Sequence, residues 1–338
     1  MKLLEPHTLK NLTLKNRVVM EPMCMYSCFN HDGCATSFHQ AHYTSRAIGQ
    51  VGLILVEATG VCPEGRITDR CLGLYNDSQK EALKKVVDAV HQEGSMIGIQ
   101  INHAGRKCTA VDGVDTIYGP SACAYDASSR IPHELTLAEI QHVFHQFKEA
   151  ARRADEAGFD VLEIHGAHGY LISQFMSPCS NKRTDAYRDG NLFIHGVIKA
   201  VKESWPETKP LIIRVSATDY EPHGYQVEDT IRMLKPSLDM LDAINVSSGG
   251  ITPIPPTKIY PGYQIGFAHQ IKHALNIPVI GCGLLGSSEL ASCLIESETV
   301  DFIGLARPLL RNPHWVIETA INRNIRESVP PQYERGFK

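Results

Sequence analysis

Two imidazoles and a phenol lie close together in the run Glu163-Ile164-His165-Gly166-Ala167-His168-Gly169-Tyr170. Imidazole N–H groups can hold an oxygen on which negative charge collects, and a phenol can release a proton. That combination suits reduction of a polarised double bond. The residues before it, Phe159 to Ile164, read as a buried strand. All three groups then leave one strand end, with Gly166 and Gly169 letting the backbone turn sharply.

Such groups need a rigid frame. Eight short apolar runs alternate with helical patterns: Arg17–Met20, Val51–Val56, Met96–Ile101, Val161–His165, Leu211–Val215, Ala243–Val246, Pro278–Gly281 and Asp301–Gly304. Amphipathic helices are predicted between them, among them Ser78–Gln92, Thr136–Ala157, Val227–Leu234, Gly266–Leu275 and Ser288–Ile295. Alternation argues for a parallel sheet, and eight repeats for an α/β fold closed as a single (β/α)8 TIM barrel. Long loops after strands 3 and 4, Ala104–Pro132 and Tyr170–Gly190, are of the kind that carries function. Strand alternation sets Ile97, Ile99 and Ile101 on one face against Gly98, Gln100 and Asn102 on the other. It likewise opposes Ile164 to Glu163 and His165, Ile213 to Arg214, and Ile244 to Asn245. Polar residues on four neighbouring strands can therefore point inward near one mouth, which suits a ligand rich in hydrogen-bonding groups.

The chain has 338 residues, about right for one large barrel, and no low-complexity or charge block divides it, so a single domain over 1–338 is expected. Its 43% hydrophobic content is enough for a sizeable core. A net charge of -4 gives no reason to expect nucleic acid or an anionic membrane. Met1–Pro6 is too short and polar for a signal peptide, and no apolar run is long enough to span a membrane, so a cytoplasmic location is expected. The ten cysteines lack paired spacing, and Cys24, Cys28 and Cys34 lack a Cys-x2-Cys unit. Neither a disulfide framework nor a metal site is expected from them.

Barrel active sites sit at strand C-terminal ends. Those ends supply Pro22, Met23, Cys24, Tyr26, Glu57, Ala58, Gln100, His165, His168, Tyr170, Arg214 and Ser247. The last two loops supply Gly281, Gly283, Ala306 and Arg307. A glycine-rich turn ahead of a helix, with an arginine at the next strand end, can cradle a phosphate.

Several motifs run in one order along nearly the whole chain: Leu14-Lys15-Asn16-Arg17, Pro22-Met23-Cys24-Met25-Tyr26, His42-Tyr43-Thr44-Ser45-Arg46, Gly98-Ile99-Gln100, His103-Ala104-Gly105-Arg106-Lys107, the His165/His168/Tyr170 run, Ser180-Asn181-Lys182-Arg183-Thr184-Asp185, Arg214-Val215-Ser216 and Tyr333-Glu334-Arg335-Gly336. In them the chain resembles the old yellow enzyme family, the FMN-dependent ene-reductases, and within it the bacterial thermophilic-like subclass.

The resemblance implies an NAD(P)H-dependent FMN oxidoreductase of the NADPH dehydrogenase or enoate reductase type. Gln100 and Arg214 would bind the flavin pyrimidine edge, where a cation stabilises the reduced form. Pro22, Met23, Cys24 and Ala58 would line the ring, with Cys24 tuning its potential. Gly281, Gly283, Ala306 and Arg307 would hold the phosphate. His165 and His168 would bind the substrate carbonyl oxygen, with His165 also touching the cofactor. Tyr170 would protonate the α-carbon, and Tyr26 would flank the substrate. The tail, 326–338, would carry Arg335 into a neighbouring subunit's site in a homodimer or homotetramer, with the terminal aromatic Phe337 docking. After Asp185 the family usually has a glycine-rich turn and an Asn-Arg pair. This chain reads Ala186-Tyr187-Arg188-Asp189-Gly190-Asn191 and is shorter, so altered substrate breadth or lower stability is expected.

Other readings of the same residues stay open. Arg214 could merely neutralise Glu163, and Cys24 or Tyr26 could be core residues. A metal-dependent barrel hydrolase could use His165, His168 and Glu163 as ligands, and a flavin-binding protein with little turnover would carry the same cofactor residues.

Overall fold

The computed structural model describes residues 1–337 apart from Ala110, Thr257, Glu327 and Ser328. The Phe337 side chain, for which docking was expected, and Lys338 lie outside the described residues. Eight strands close into a parallel barrel: β1 (Val18–Met20), β2 (Leu53–Gly60), β3 (Met96–Asn102), β4 (Val161–Gly166), β5 (Leu211–Ser216), β6 (Ala243–Ser247), β7 (Val279–Gly281) and β8 (Phe302–Leu305), which pairs back onto β1. The ring of helices is α1 (Ser37–Ile48), α2 (Asp77–Gln92), α3 (Leu137–Glu156), α4 (Gly190–Lys202), α5 (Val227–Leu234), α6 (Ile265–Leu275), α7 (Ser288–Glu296) and α8 (Trp315–Ile321). This is the (β/α)8 architecture expected from the alternation.

Local chemistry starts the helices where the pattern places them. Asn76 caps α2 by accepting from Gln79 N, and Thr136 caps α3 by accepting from Glu139 N; each is a reciprocal capping box. The second strand differs from expectation. It runs on to Gly60, with a register irregularity between Val56 and Thr59 that re-aims its end beside the mouth. Helix α1 gave no apolar stripe because its buried residues include His39, His42 and Arg46.

Three layers follow from strand alternation. Outward-facing Ile97, Ile99, Leu162, Ile164, Ile213 and Ile244 join the main core under the helices. Inward-facing Val19, Leu55, Val161, Ile212, Ile280 and Phe302 form a separate apolar plug low in the barrel. That plug is completed by Leu9 and Leu14 from an antiparallel hairpin, His7–Leu9 with Leu12–Leu14. The hairpin seals the end of the barrel away from the strand C-termini, so the polar residues above the plug face one mouth only.

Candidate active site

The floor of the mouth is a buried polar network at the inward positions of four strands, β3 to β6, joined by Glu21 just past the end of β1. Gln100 Nε2 donates to Glu163 Oε1 (2.7 Å), and Asn245 Nδ2 donates to Glu163 Oε2 (2.8 Å) and to Glu21 Oε2 (3.0 Å). Arg214 pairs with Glu21 at 2.8 Å. Arg214 is therefore not simply the neutraliser of Glu163; its direct partner is Glu21, which the sequence reading passed over. Alternation from inward Val19 was the available signal. Burial, helped by the charge of Glu21, lifts the Glu163 carboxyl to about 7 against the pull of Arg214. Arg214 Nε is buried with no hydrogen-bond partner among the described residues. A buried guanidinium N–H left free on a cavity floor fits an acceptor from a bound ligand.

Above the floor stand the three rings. His165 and His168 meet edge to face with centroids 5.1 Å apart, and His165 meets Tyr170 at 4.9 Å. His165 Nδ1 accepts from Ala167 N at 3.3 Å, so the proton of the neutral ring sits on Nε2. His168 shares a 2.7 Å hydrogen bond between Nε2 and Ser247 Oγ, and its backbone N donates to Ser216 Oγ at 2.9 Å. Burial pushes both imidazoles well below their ordinary range, with nearby Arg214 and Lys107 adding to the effect. Both are thus neutral donors at neutral pH. Burial also pushes the Tyr170 hydroxyl far up, so it keeps its proton.

The turn that delivers these rings needs close backbone approach. Gly169 has φ +70°, and a Cβ on it would overlap Gly250 O in the loop after β6. Lys107 ties the same two loops, donating to His168 O (2.9 Å) and Gly250 O (3.2 Å). Its ammonium lies 4.6 Å from the Tyr125 ring centroid and 5.1 Å from that of Tyr170. Lys107 and Tyr125 belong to the long loop after β3, and neither was singled out from sequence as a site residue.

The loop after β1 carries Pro22, Met23, Cys24 and Tyr26. Met23 packs on the main core, and Cys24 and Tyr170 flank a small apolar cluster containing Ala58. Tyr26 has φ +51° and is 48% exposed, which answers whether it is a core residue: it is not. The loop is held from behind by Glu57, which accepts from Met25 N at 2.9 Å. His39 Nε2 stands 3.1 Å from Glu57 Oε1, both fully buried. Thr36 N donates to His39 Nδ1, which puts the ring proton on the Nε2 that faces the carboxylate.

A cavity of about 520 Å³ extends from His168 and Arg214 past Gln264 to Gly283, Ala306 and Arg307. The structure thus joins the floor to the expected phosphate loop. Gly281 is not part of its lining; its Cα faces Val300 and Ile265 in the outer layer. Cys282 turns its side chain inward, donating to Val246 O at 3.1 Å. Arg335 lies exposed in a short 3-10 turn, Glu334–Phe337. Among the described residues, clusters with metal-binding spacing are Cys62/Glu64/His103 and His31/Asp69/Asp112, not His165/His168/Glu163. No helix among the described residues is long and apolar enough to cross a membrane.

Comparison with known proteins places this geometry. Residues 2–326 match the model of the NADH:flavin oxidoreductase / NADH oxidase family. NADPH dehydrogenase of Clostridium acetobutylicum is 44% identical, with 100% of both chains covered. NADPH dehydrogenase of Listeria welshimeri is 47% identical over 100% of this chain and 99% of its own. Among solved structures, morphinone reductase superposes with a TM-score of 0.84 at 26% identity, covering 95% of this chain and 89% of its own. The old yellow enzyme homologue of Zymomonas mobilis superposes with a TM-score of 0.80 at 26% identity, covering 98% of this chain and 94% of its own. A full-length family match, a closed barrel and a cavity linking Arg214 to Arg307 agree: the chain belongs to the NADH:flavin oxidoreductase / NADH oxidase family, the FMN-binding oxidoreductases of old yellow enzyme type.

Proposed function

We propose that the protein is an ene-reductase that takes electrons from NAD(P)H and reduces α,β-unsaturated carbonyl compounds. The observation that carries this reading is the neutral His165/His168 pair beside a protonated Tyr170, at the end of a cavity that reaches Arg214 and Arg307. Bound FMN would supply the two-electron chemistry that links NAD(P)H to the substrate β-carbon in a ping-pong cycle. Gln100, Arg214, Gly283, Ala306 and Arg307 would hold it, with Pro22, Met23, Cys24 and Ala58 along the ring.

The protein's own groups do the rest. His165 Nε2–H and His168 donate to the carbonyl oxygen, and their hydrogen bonds strengthen as charge collects there. Neutral imidazoles suit this role because they stabilise the oxygen without giving it a proton. Tyr170 delivers a proton to the α-carbon. Lys107 beside its ring favours the phenolate left behind. Tyr26 flanks the substrate, and Arg335 reaches a neighbouring subunit's site in a homo-oligomer.

Half-reactions of the purified holoenzyme test the proposal. Tyr170→Phe is expected to slow oxidation by substrate about 100-fold, the ordinary scale of general acid catalysis, while leaving reduction by NAD(P)H nearly unchanged. Replacing His165 and His168 together should weaken binding of phenols, which mimic an enolate oxygen. Equal slowing of both half-reactions, or undiminished phenol binding, would count against these roles. A flavin-binding protein with little turnover would reduce slowly with NAD(P)H and show no re-oxidation by any enone.

A further inference from the structure

The loops after β1 and β2 are stitched together by backbone hydrogen bonds. Cys28 N donates to Arg70 O at 3.1 Å and Gly73 N to Gly33 O at 2.9 Å. Arg66 Nη1 reaches His31 O at 3.0 Å, and His31 pairs with Asp69 at 2.9 Å. The stitching brings Cys24 and Cys71 into the same small cluster beside Tyr170. Cys71 is fully buried, whereas Cys24 is partly open to solvent. We propose that Cys24 and Cys71 are a reactive thiol pair that hydrogen peroxide converts to a disulfide, a modification site on the rim of the active-site mouth. Its effect on the cofactor rests on the placement of Cys24 beside the flavin; the disulfide itself does not.

The surroundings separate Cys71 from the other cysteines. Thr68 Oγ1 accepts from Arg70 N at 3.2 Å, which leaves its hydrogen to point at Cys71 Sγ, 3.3 Å away. The neighbouring Cys24 thiol above all, with the Thr68 hydroxyl, holds the Cys71 thiol down at about 7 despite its burial. Burial raises Cys28, Cys62 and Cys282, and Cys108 to about 11. Cys24 is raised because it is the donor of the pair and is also buried. One thiolate therefore faces one thiol, an arrangement suited to oxidation followed by resolution.

The step balances with peroxide as the sole oxidant. The Cys71 thiolate attacks one peroxide oxygen, the O–O bond breaks, and the departing hydroxide takes a proton to become water. The Cys71 sulfenic acid is then attacked by Cys24 sulfur, which loses its proton; the S–S bond forms and a second water leaves. Two thiols have lost two electrons and two protons, and the peroxide has gained them. Peroxide is small enough to enter beside Cys24, and both cysteines lie outside helices and strands, where the backbone can adjust to disulfide geometry.

The test uses the holoenzyme treated with hydrogen peroxide, quenched with catalase, alkylated under denaturing conditions and digested. The expected product is a peptide cross-linked between Cys24 and Cys71, abolished by dithiothreitol and retained in Cys28→Ser. Cys71→Ser should lose the cross-link and slow oxidation of Cys24 by about tenfold or more, because the thiolate is the nucleophile. The visible absorption of bound FMN should shift with cross-linking and return with reductant. Over-oxidation of Cys24 without a cross-link, or cross-linking of Cys24 to Cys28, overturns the pair. Cross-linking with an unchanged flavin spectrum upholds the pair and overturns only the position of Cys24 at the ring. Apoenzyme that cross-links equally upholds the pair independently of the cofactor.

Discussion

Gly304 lies where a side chain would collide with Glu21 Oε1, inside the charged layer of the barrel. Glu21 in turn carries Arg214. Gly304→Ala is therefore expected to disturb a residue it does not resemble. Overpacking of this kind costs about 1–3 kcal/mol, and the strain falls on the Arg214 guanidinium. Both a lower melting temperature and weaker FMN retention should follow, measured by thermal unfolding and by flavin release on dilution. A lower melting temperature with full flavin retention would show that Glu21 does not position Arg214. At this scale much was legible: the alternation places Gln100, Glu163, His165, Arg214 and Asn245 on the inner face, and the bonds of Gln100, Glu163, Arg214 and Asn245 across the barrel bear that out for those four. Glu21 was missed because β1 is short, so one inward valine, Val19, was too little pattern to extend. Lys107 and Tyr125 were missed because their positions depend on how a long loop folds back, which no local periodicity encodes.

At the scale of elements, the N-terminal hairpin packs the plug and the strand ends carry the candidate site. Leu9 and Leu14 are buried in the plug far below the rings. Leu14→Ala should cost about 2–5 kcal/mol, the usual range for a leucine removed from a core. Urea unfolding should register the loss, while the visible spectrum of the folded enzyme stays unchanged. A spectral change would mean that the plug transmits strain to the mouth. The barrel strands and five of the helices were readable because they bury aliphatic faces. Helix α1 was not, since His39 and Arg46 on its inner face are satisfied by specific partners, Thr36 and Leu309 O, instead of by apolar contact. The short segment after Asp185 is a 3-10 turn followed by α4, and it borders a separate cavity of about 440 Å³ near Met176 and Arg232. That cavity has no lining residue in common with the one that reaches Arg214, so any effect of the shortening on substrate breadth would be indirect.

For the molecule as a whole, buried ionisable groups pull stability in opposite directions with pH. Glu163 is raised by burial to about 7, above the roughly 4.3 of an exposed glutamate. The folded state then binds the extra proton, so this group's contribution to stability is fully present below about pH 4.3 and is lost as pH rises towards 7. His165 and His168 are depressed. The unfolded imidazoles bind protons that the folded ones refuse, so acidification below about pH 6.5 destabilises. Glu163→Gln should weaken the first trend, leaving the share of Asp219, which burial also raises to about 7, and keep the second. Unfolding free energies measured across pH in wild type and variant check this; an unchanged slope between about pH 4.5 and 7 would place the titration elsewhere. Barrel closure was legible from eight alternations. The stitching of the first two loops was not, because it relies largely on backbone groups such as Gly73 N and Gly33 O.

The floor of the mouth sets two carboxylates, Glu21 and Glu163, against one guanidinium, Arg214. An anion arriving over Arg214 draws on the positive field that keeps Glu163 ionised, and Glu163 answers by taking a proton from water near neutral pH. Ligand charge and proton count are then linked, and the closed lower end of the barrel leaves the mouth as the route for that proton. The layer acts as a small proton reservoir whose filling reports the charge of what sits above it. In weak buffer near pH 7, a dye should record proton uptake when an anionic ligand binds the holoenzyme, and Glu163→Gln should abolish it.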